Sequence, residues 1–227
     1  VDKLTGVVSG TVTITATSVT NNLVAGNNVV TVVAGAIATV AVSGATSITS
    51  GVQSASYTAA STDAAGNAVA DTFTWTNANG TGTATLSVDK LTGVLSGTVT
   101  ITATSVTAPF VAGNKLVTVV PGALDHFTVT ATPTTVISGT GYTVTNAISA
   151  RDVNENLITI DASVVTATIT NTVGVVTMTY YTAGDYLTPT PTYTLVNGLA
   201  TIYYKATRDA TVGDTFQIWI RKQTDTT

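Results

Sequence analysis

VDKLTGVLSGTVTITATSVT, residues 88–107, repeats VDKLTGVVSGTVTITATSVT, residues 1–20. The echo runs on: residues 1–35 and 88–122 are identical at 28 of 35 positions, at an offset of 87. Within the second copy, Val99, Ile101 and Ala103 alternate with Thr98, Thr100, Thr102 and Thr104. A period of two marks a strand with one apolar face and one hydroxyl face. Residues 11–17 carry the same alternation, which predicts that Val12, Ile14 and Ala16 also point inward. An 87-residue period is too long for most solenoid repeats and suits one small β-sandwich per unit.

The repeat sets the expected borders. Ala34-Gly35 and Pro121-Gly122 are equivalent joints. Residues 1–33 read as the back half of a domain, 34–120 as a complete one, and 121–227 as a third that diverges after its opening strand. The start inside a repeat predicts a piece of a longer protein. Val40 and Val42 open the second domain with inward side chains, and Phe127 and Val129 hold the same places in the third. Phe73 and Trp75 share a face, as do Phe216, Ile218 and Ile220, and as do Ile202 and Tyr204. Asn197-Gly198, between TYTLV and LATIYYKA, predicts a tight hairpin because both residues tolerate positive φ.

Composition points the same way. About fifty residues are Thr and about thirty are Val, and both are β-branched side chains that suit sheets. No stretch shows 3.6-residue periodicity, so the chain reads as all-β. Charged residues are only 9% and the net charge is −4, which offers nothing to phosphates and argues against a nucleic-acid partner. Without cysteine there is no disulfide framework or thiolate metal site. The apolar run Val29–Val42 is shorter than the roughly 20 residues of a spanning helix, so no transmembrane segment is expected.

ATLSVDKLTGVLSGTVTITATS resembles the closing strands of bacterial Ig-like (Big) domains, where a VD-x-x-G turn precedes GTVTITA. DHFTVTATPTTVISGTGYTVTNAISARDVNENLI is similar to the opening half of related domains, whose third strand ends in A-x-D-x-x-G-N. The middle domain carries that ending as Ser61 to Asn67; the third carries Ala150 to Asn156, with Glu155 in the glycine position. The resemblance implies tandem immunoglobulin-like β-sandwiches, at the cell surface or outside the cell, in a surface layer, a filament or an adhesin stalk. Fold alone does not choose among these.

Candidate chemistry is sparse. His126 is the only histidine, aligns with Thr39 and reads as a surface residue. No nucleophile elbow, phosphate loop or carboxylate pair is present, so neither catalytic nor cofactor-binding residues are assigned and no enzyme is expected. Asp152, Asn154 and Asn156 alternate like the ligands of a calcium loop. The same residues cap a turn through side chain to backbone bonds, which is the preferred reading. Asn79 heads the sequon Asn79-Gly80-Thr81, so a glycan is a candidate partner. Trp219 alternates away from Ile218 and Ile220 and is expected outside beside Arg221, with Tyr203 also outward; these three form the candidate interface.

The first 120 residues hold seven charged side chains. A surface so poorly charged favours association. The expected role is a structural subunit that self-associates into a lattice or filament, the alternative an adhesin stalk or carbohydrate-binding module.

Overall fold

The computed structural model describes residues 3–132, 143–173, 178–181, 191–206 and 215–223. Tyr186, and the 133–142 part of the third domain's opening, lie outside them. The described residues contain eighteen strands and no helix. None of their elements is a helix long and apolar enough to cross a membrane. The chain divides into two compact units, Val1–Val120 and Pro121–Thr227.

The first unit begins with β1 (Gly10–Thr17) and β2 (Ala25–Val32), an antiparallel pair that stands as its own two-stranded sheet. Then come β3 (Ile37–Ser43), β4 (Ser47–Thr49), β5 (Thr58–Asp63), β6 (Ala68–Val69), β7 (Phe73–Asn79), β8 (Thr83–Ser87), β9 (Lys90–Leu95), β10 (Gly97–Ser105) and β11 (Ala112–Val120). One sheet runs β4-β11-β10-β7; facing it are β3-β5-β6 and the pair β8-β9. The alternation read in the sequence decides what lies between them. Val99, Ile101, Val117, Val119 and Ile48 come from the first sheet, and Tyr57, Ala84 and Leu91 meet them from the other side. Val42, Trp75 and Leu86 close the margins of this core.

The two copies of the repeat pair in the same register. Gly10 faces Val32 and Thr17 faces Ala25, and 87 residues later Gly97 faces Val119 and Thr104 faces Ala112. Their burial differs completely. Val99, Ile101 and Ala103 are fully buried. Every residue of β1 is exposed, Val12 at 38% and Ile14 at 44%. Val12, Ile14 and Ala16, expected to point into a core, are therefore corrected to exposed among the described residues. Strand pairing is local to the hairpin, whereas burial needs a facing sheet, and none of the described residues provides one here.

The second unit contains β12 (His126–Thr132), β13 (Thr143–Arg151), β14 (Val164–Val173), β15 (Met178–Tyr181), β16 (Thr192–Thr194), β17 (Leu199–Ala206) and β18 (Thr215–Lys222). Its sheets are β12-β13-β17-β15 and β16-β14-β18. Ile148, Ala150, Ile202 and Tyr204 from the first pack against Val165, Ala167, Tyr193 and Leu195 from the second. Phe127, Ile218 and Ile220 lie on this core as their alternation predicts. Val129 is more exposed, at 37%.

Asn197-Gly198 forms the expected turn but not the expected hairpin. Asn197 has φ 52 and Gly198 φ 72, and Val196 and Leu199 exchange both backbone hydrogen bonds across the turn. The ladder then stops, because β16 pairs with β14 and β17 with β13. The turn carries the chain from one sheet to the other. Neighbouring loops hold it there: Gly198 N donates to Asp161 O at 3.0 Å, and Ala150 N donates to Gly198 O at 2.8 Å. A Cβ at Gly198 would run into the Ile158 carbonyl, so the position needs glycine for space as well as for φ. Together the elements make tandem immunoglobulin-like β-sandwiches, all-β in class.

Candidate functional site

The most organised polar structure is a turn that occurs once in each unit. In the first unit β5 ends at Asp63, whose carboxylate receives four N–H groups. Its Oδ2 accepts from Gly35 N at 2.7 Å and Asn67 Nδ2 at 2.9 Å; its Oδ1 accepts from Ala65 N at 2.9 Å and Asn67 N at 2.8 Å. Gly66, with φ 84, lets the chain double back. In the second unit Oδ2 of Asp152 accepts from Gly122 N at 2.7 Å and Asn156 Nδ2 at 3.0 Å. Oδ1 accepts from Asn154 N and Asn156 N, both at 2.9 Å. Each aspartate thus ties the end of a strand, β5 or β13, to the glycine of the joint before its sandwich, Gly35 or Gly122.

Glu155 replaces the glycine and still adopts φ 66, so the turn type is the same in both units. A left-handed non-glycine residue costs on the order of 1 kcal/mol unless its surroundings hold it. Here they do: His126 Nε2 lies 3.2 Å from Glu155 Oε1, and Arg151 Nη1 donates to the Glu155 carbonyl. His126 Nδ1 lies 2.9 Å from Asp125 Oδ2. The Asp125 hydrogen bond and the nearby Glu155 charge raise the imidazole above its ordinary pKa. His126 sits at the surface, as the sequence predicts.

The geometry around Asp152, Asn154 and Asn156 is that of the turn cap. The oxygens of Asp152 meet N–H donors, and Asp152 and Asn156 are buried. No group of three or more His, Cys, Asp or Glu side chains is arranged to hold a metal ion among the described residues. Sequence reading identified the capping aspartates but not their distant donors, Gly35 and Gly122. The available signal was the recurrence of both the joint glycine and the Asp turn in each unit.

Asp63 carries a testable consequence. Its hydrogen bonds from the Asn67 side chain and from Gly35 N lower its pKa from 3.8 to about 2. A depressed folded-state pKa contributes stability that is complete above the unfolded value and disappears as pH falls through the folded one. The first unit is therefore expected to lose stability between about pH 4 and pH 2. Asp63→Asn is expected to flatten that part of the profile, as measured by thermal melts across the range. Asp71, bonded to the hydroxyls of Ser105 and Thr107, is lowered in the same direction and adds to that slope.

The other candidate residues are spread over the surface. Trp219 (51% exposed) and Arg221 stand on the outer face of β18, opposite Thr168 and Thr166 of β14. Tyr203 is half-buried on β17, opposite Thr145 and Tyr181. Because Ile218 and Ile220 from one sheet and Ile202 and Tyr204 from the other turn toward one core, Trp219 and Tyr203 point away from it on different sheets. The three do not form one patch. Asn79 ends β7, exposed, with its Oδ1 accepting from Ala84 N at 3.1 Å.

Two features escaped the sequence reading. The loop after β1 and the loop after β10 share a conformation: Ser18 N donates to Val24 O, and Ser105 N donates to Val111 O. Each presents an apolar tip to solvent, Leu23 at 95% exposure and Phe110 at 101%. The two residues are 87 positions apart. The second feature is Asn146, fully buried on the inner face of β13, with no hydrogen-bond partner for either amide atom among the described residues. Its alternation with Ile148 and Ala150 was the legible signal. A buried unpaired amide costs about 1–3 kcal/mol. Asn146→Leu is expected to stabilise the second unit by about that amount, read as a higher urea midpoint with unchanged slope.

Comparisons with known proteins give distant structural likenesses only. No family model and no curated protein matches the chain. Among solved structures, the chain is similar to FdeC, an Escherichia coli adhesin, at 18% identity and TM-score 0.38, over 86% of this chain and 64% of that one. It is similar to the S-layer protein rSbsC(31-844) at 15% identity and TM-score 0.32, over 95% of this chain and 34% of that one. A β-glucuronidase of Parabacteroides merdae matches at 14% identity and TM-score 0.24, over 60% of this chain and 18% of that one. The chain thus spans under two thirds of the length of each of these three proteins.

Proposed function

We propose that this chain is a noncatalytic structural stretch of a cell-surface or extracellular assembly, of the surface-layer or filament kind. One observation carries the reading. The chain exposes large apolar side chains at repeat-equivalent loop tips, Leu23 and Phe110, on a segment of 120 residues with seven charges. Such surfaces associate unless a partner covers them. Trp219 beside Arg221 supplies the same kind of contact in the second unit. The capped turns supply rigidity rather than chemistry.

Purified protein is expected to form ordered sheets or fibres in electron micrographs as its concentration rises. Phe110→Ser and Trp219→Ala are each expected to raise the concentration needed by about tenfold or more. A chain that stays monomeric at high concentration would defeat the reading.

One feature favours an adhesin or carbohydrate-binding role instead. An open groove beside Tyr203 is lined by Thr192, Thr194 and Thr201. Hydroxyls beside an aromatic ring are the chemistry of a sugar subsite. Saturable glycan binding by the monomer, lost in Tyr203→Ala, would establish that role.

A further inference from the structure

We propose that Asn67 is a positioning residue that locks the β1-β2 hairpin to the sandwich of residues 34–120, by reading the backbone of the loop Val7–Gly10. The partner surface is that loop, VVSG, recognised through its main chain rather than its side chains.

The contact uses every hydrogen-bonding group of the Asn67 side chain. Nδ2 donates to Asp63 Oδ2 and to Val7 O, both at 2.9 Å. Oδ1 accepts from Ser9 N at 2.8 Å. Only one placement of the amide oxygen and nitrogen satisfies these partners, because the carboxylate and the Val7 carbonyl both need a donor. Val7 O and Ser9 N flank Val8, so the amide takes the part that one residue of a neighbouring strand plays in a parallel ladder.

Both sides of the contact are preset. Asp63 holds the backbone N–H of Asn67 as well as Nδ2, and the same carboxylate holds Gly35 N at the joint. One group therefore fixes the path of the chain at the joint and the aim of the amide that meets the hairpin. On the other side, Gly10 ends the loop with φ 147, and Gly97, which ends the repeat copy VLSG, has φ 136. The loop thus keeps its shape in both copies of the repeat. Val7 and Val8 are 63% and 71% exposed, so their side chains add little packing. Among the described residues β1 and β2 pair only with each other, so no strand ladder ties the hairpin to the sandwich. A joint held by directional bonds to main chain tolerates changed side chains in the loop but not a changed Asn67. Asn67→Asp, nearly the same in shape, removes the donor and sets a second carboxylate against Asp63 and the Val7 carbonyl.

The chain has no cysteine, so spin labels at Thr15→Cys on β1 and Thr76→Cys on β7, both exposed, report a single distance. Pulsed electron paramagnetic resonance on the full chain is expected to give a narrow distance distribution. It is expected to broaden in Asn67→Ala and Asn67→Asp, and also in Ser9→Pro, which removes the N–H donor from the loop without touching the sandwich. Val8→Thr is expected to leave it narrow. Amide exchange at Ser9 is expected to quicken about tenfold or more in Asn67→Ala, while Gly35 keeps the protection that Asp63 gives it. A broad distribution without these substitutions, an unchanged width in Ser9→Pro, or equal broadening in Val8→Thr would each overturn the proposal. Equal loss of protection at Ser9 and Gly35 in Asn67→Ala would make Asn67 part of the turn cap alone and would also overturn it. Should Asn67→Ala fail to fold, Ser9→Pro decides the matter from the other side of the joint.

Discussion

Ile101→Ala is expected to destabilise the first unit by about 2–5 kcal/mol, while Ile14→Ala, the same change at the equivalent position of the repeat, is expected to cost less than about 1 kcal/mol. The two isoleucines have the same neighbours in sequence, Thr-x-Thr, and the same strand register. Only burial separates them: Ile101 is fully buried in the core that also holds Leu91, Val99 and Val117, and Ile14 is 44% exposed. Truncating an enclosed side chain forfeits its transfer energy and leaves a cavity; truncating a half-exposed one lets solvent fill the space. Urea unfolding followed at Trp75 in a Trp219→Phe background measures both. Equal losses would mean that the β1 face is covered in solution.

Asp152→Ala is expected to destabilise the second unit by about 3–5 kcal/mol. The carboxylate is fully buried, and its removal strands the N–H groups of Gly122, Asn154 and Asn156 without acceptors. Asp152→Asn keeps one oxygen and is expected to lose less. Fluorescence of Trp219 in urea reports both changes. The loss should also free the joint at Gly122, visible as faster amide exchange there. A loss below about 1 kcal/mol would show that the capping bonds are replaced by water at little cost.

The capped turns explain why Asp and Asn recur at strand ends in a chain otherwise poor in polar charge. A carboxylate that collects several backbone N–H groups substitutes for strand pairing at the point where the ladder ends. The same residues read as calcium ligands on spacing alone, because spacing specifies which side chains cluster and not what they face. At Asp152 they face N–H donors, one of them the joint glycine 30 residues away.

The strands, their facing sides and the repeat were legible in the sequence because alternation is a local property with a period of two. Val99, Ile101, Ile202, Tyr204, Ile218 and Trp219 all stand where that period puts them. The Asn197-Gly198 turn was legible for the same reason, since two adjacent residues with positive φ are enough to make it. The pairing of the strands on either side of that turn was not legible, because the partners of β16 and β17 lie in distant strands. Nor could the sequence reveal that buried Asn146 has no hydrogen-bond partner among the described residues.

The sequence by itself thus determined the β-sandwich class, the 87-residue repeat and which side chains share a face along the strands it marked. Tertiary structure alone decided that one copy of VTITA is core while the other is exposed among the described residues, that Gly35 and Gly122 are held by Asp63 and Asp152, and that Tyr203 and Trp219 stand apart. The reason is physical: a side chain's direction follows from its own backbone, but its burial and its hydrogen bonds depend on groups that the chain brings to it from far away.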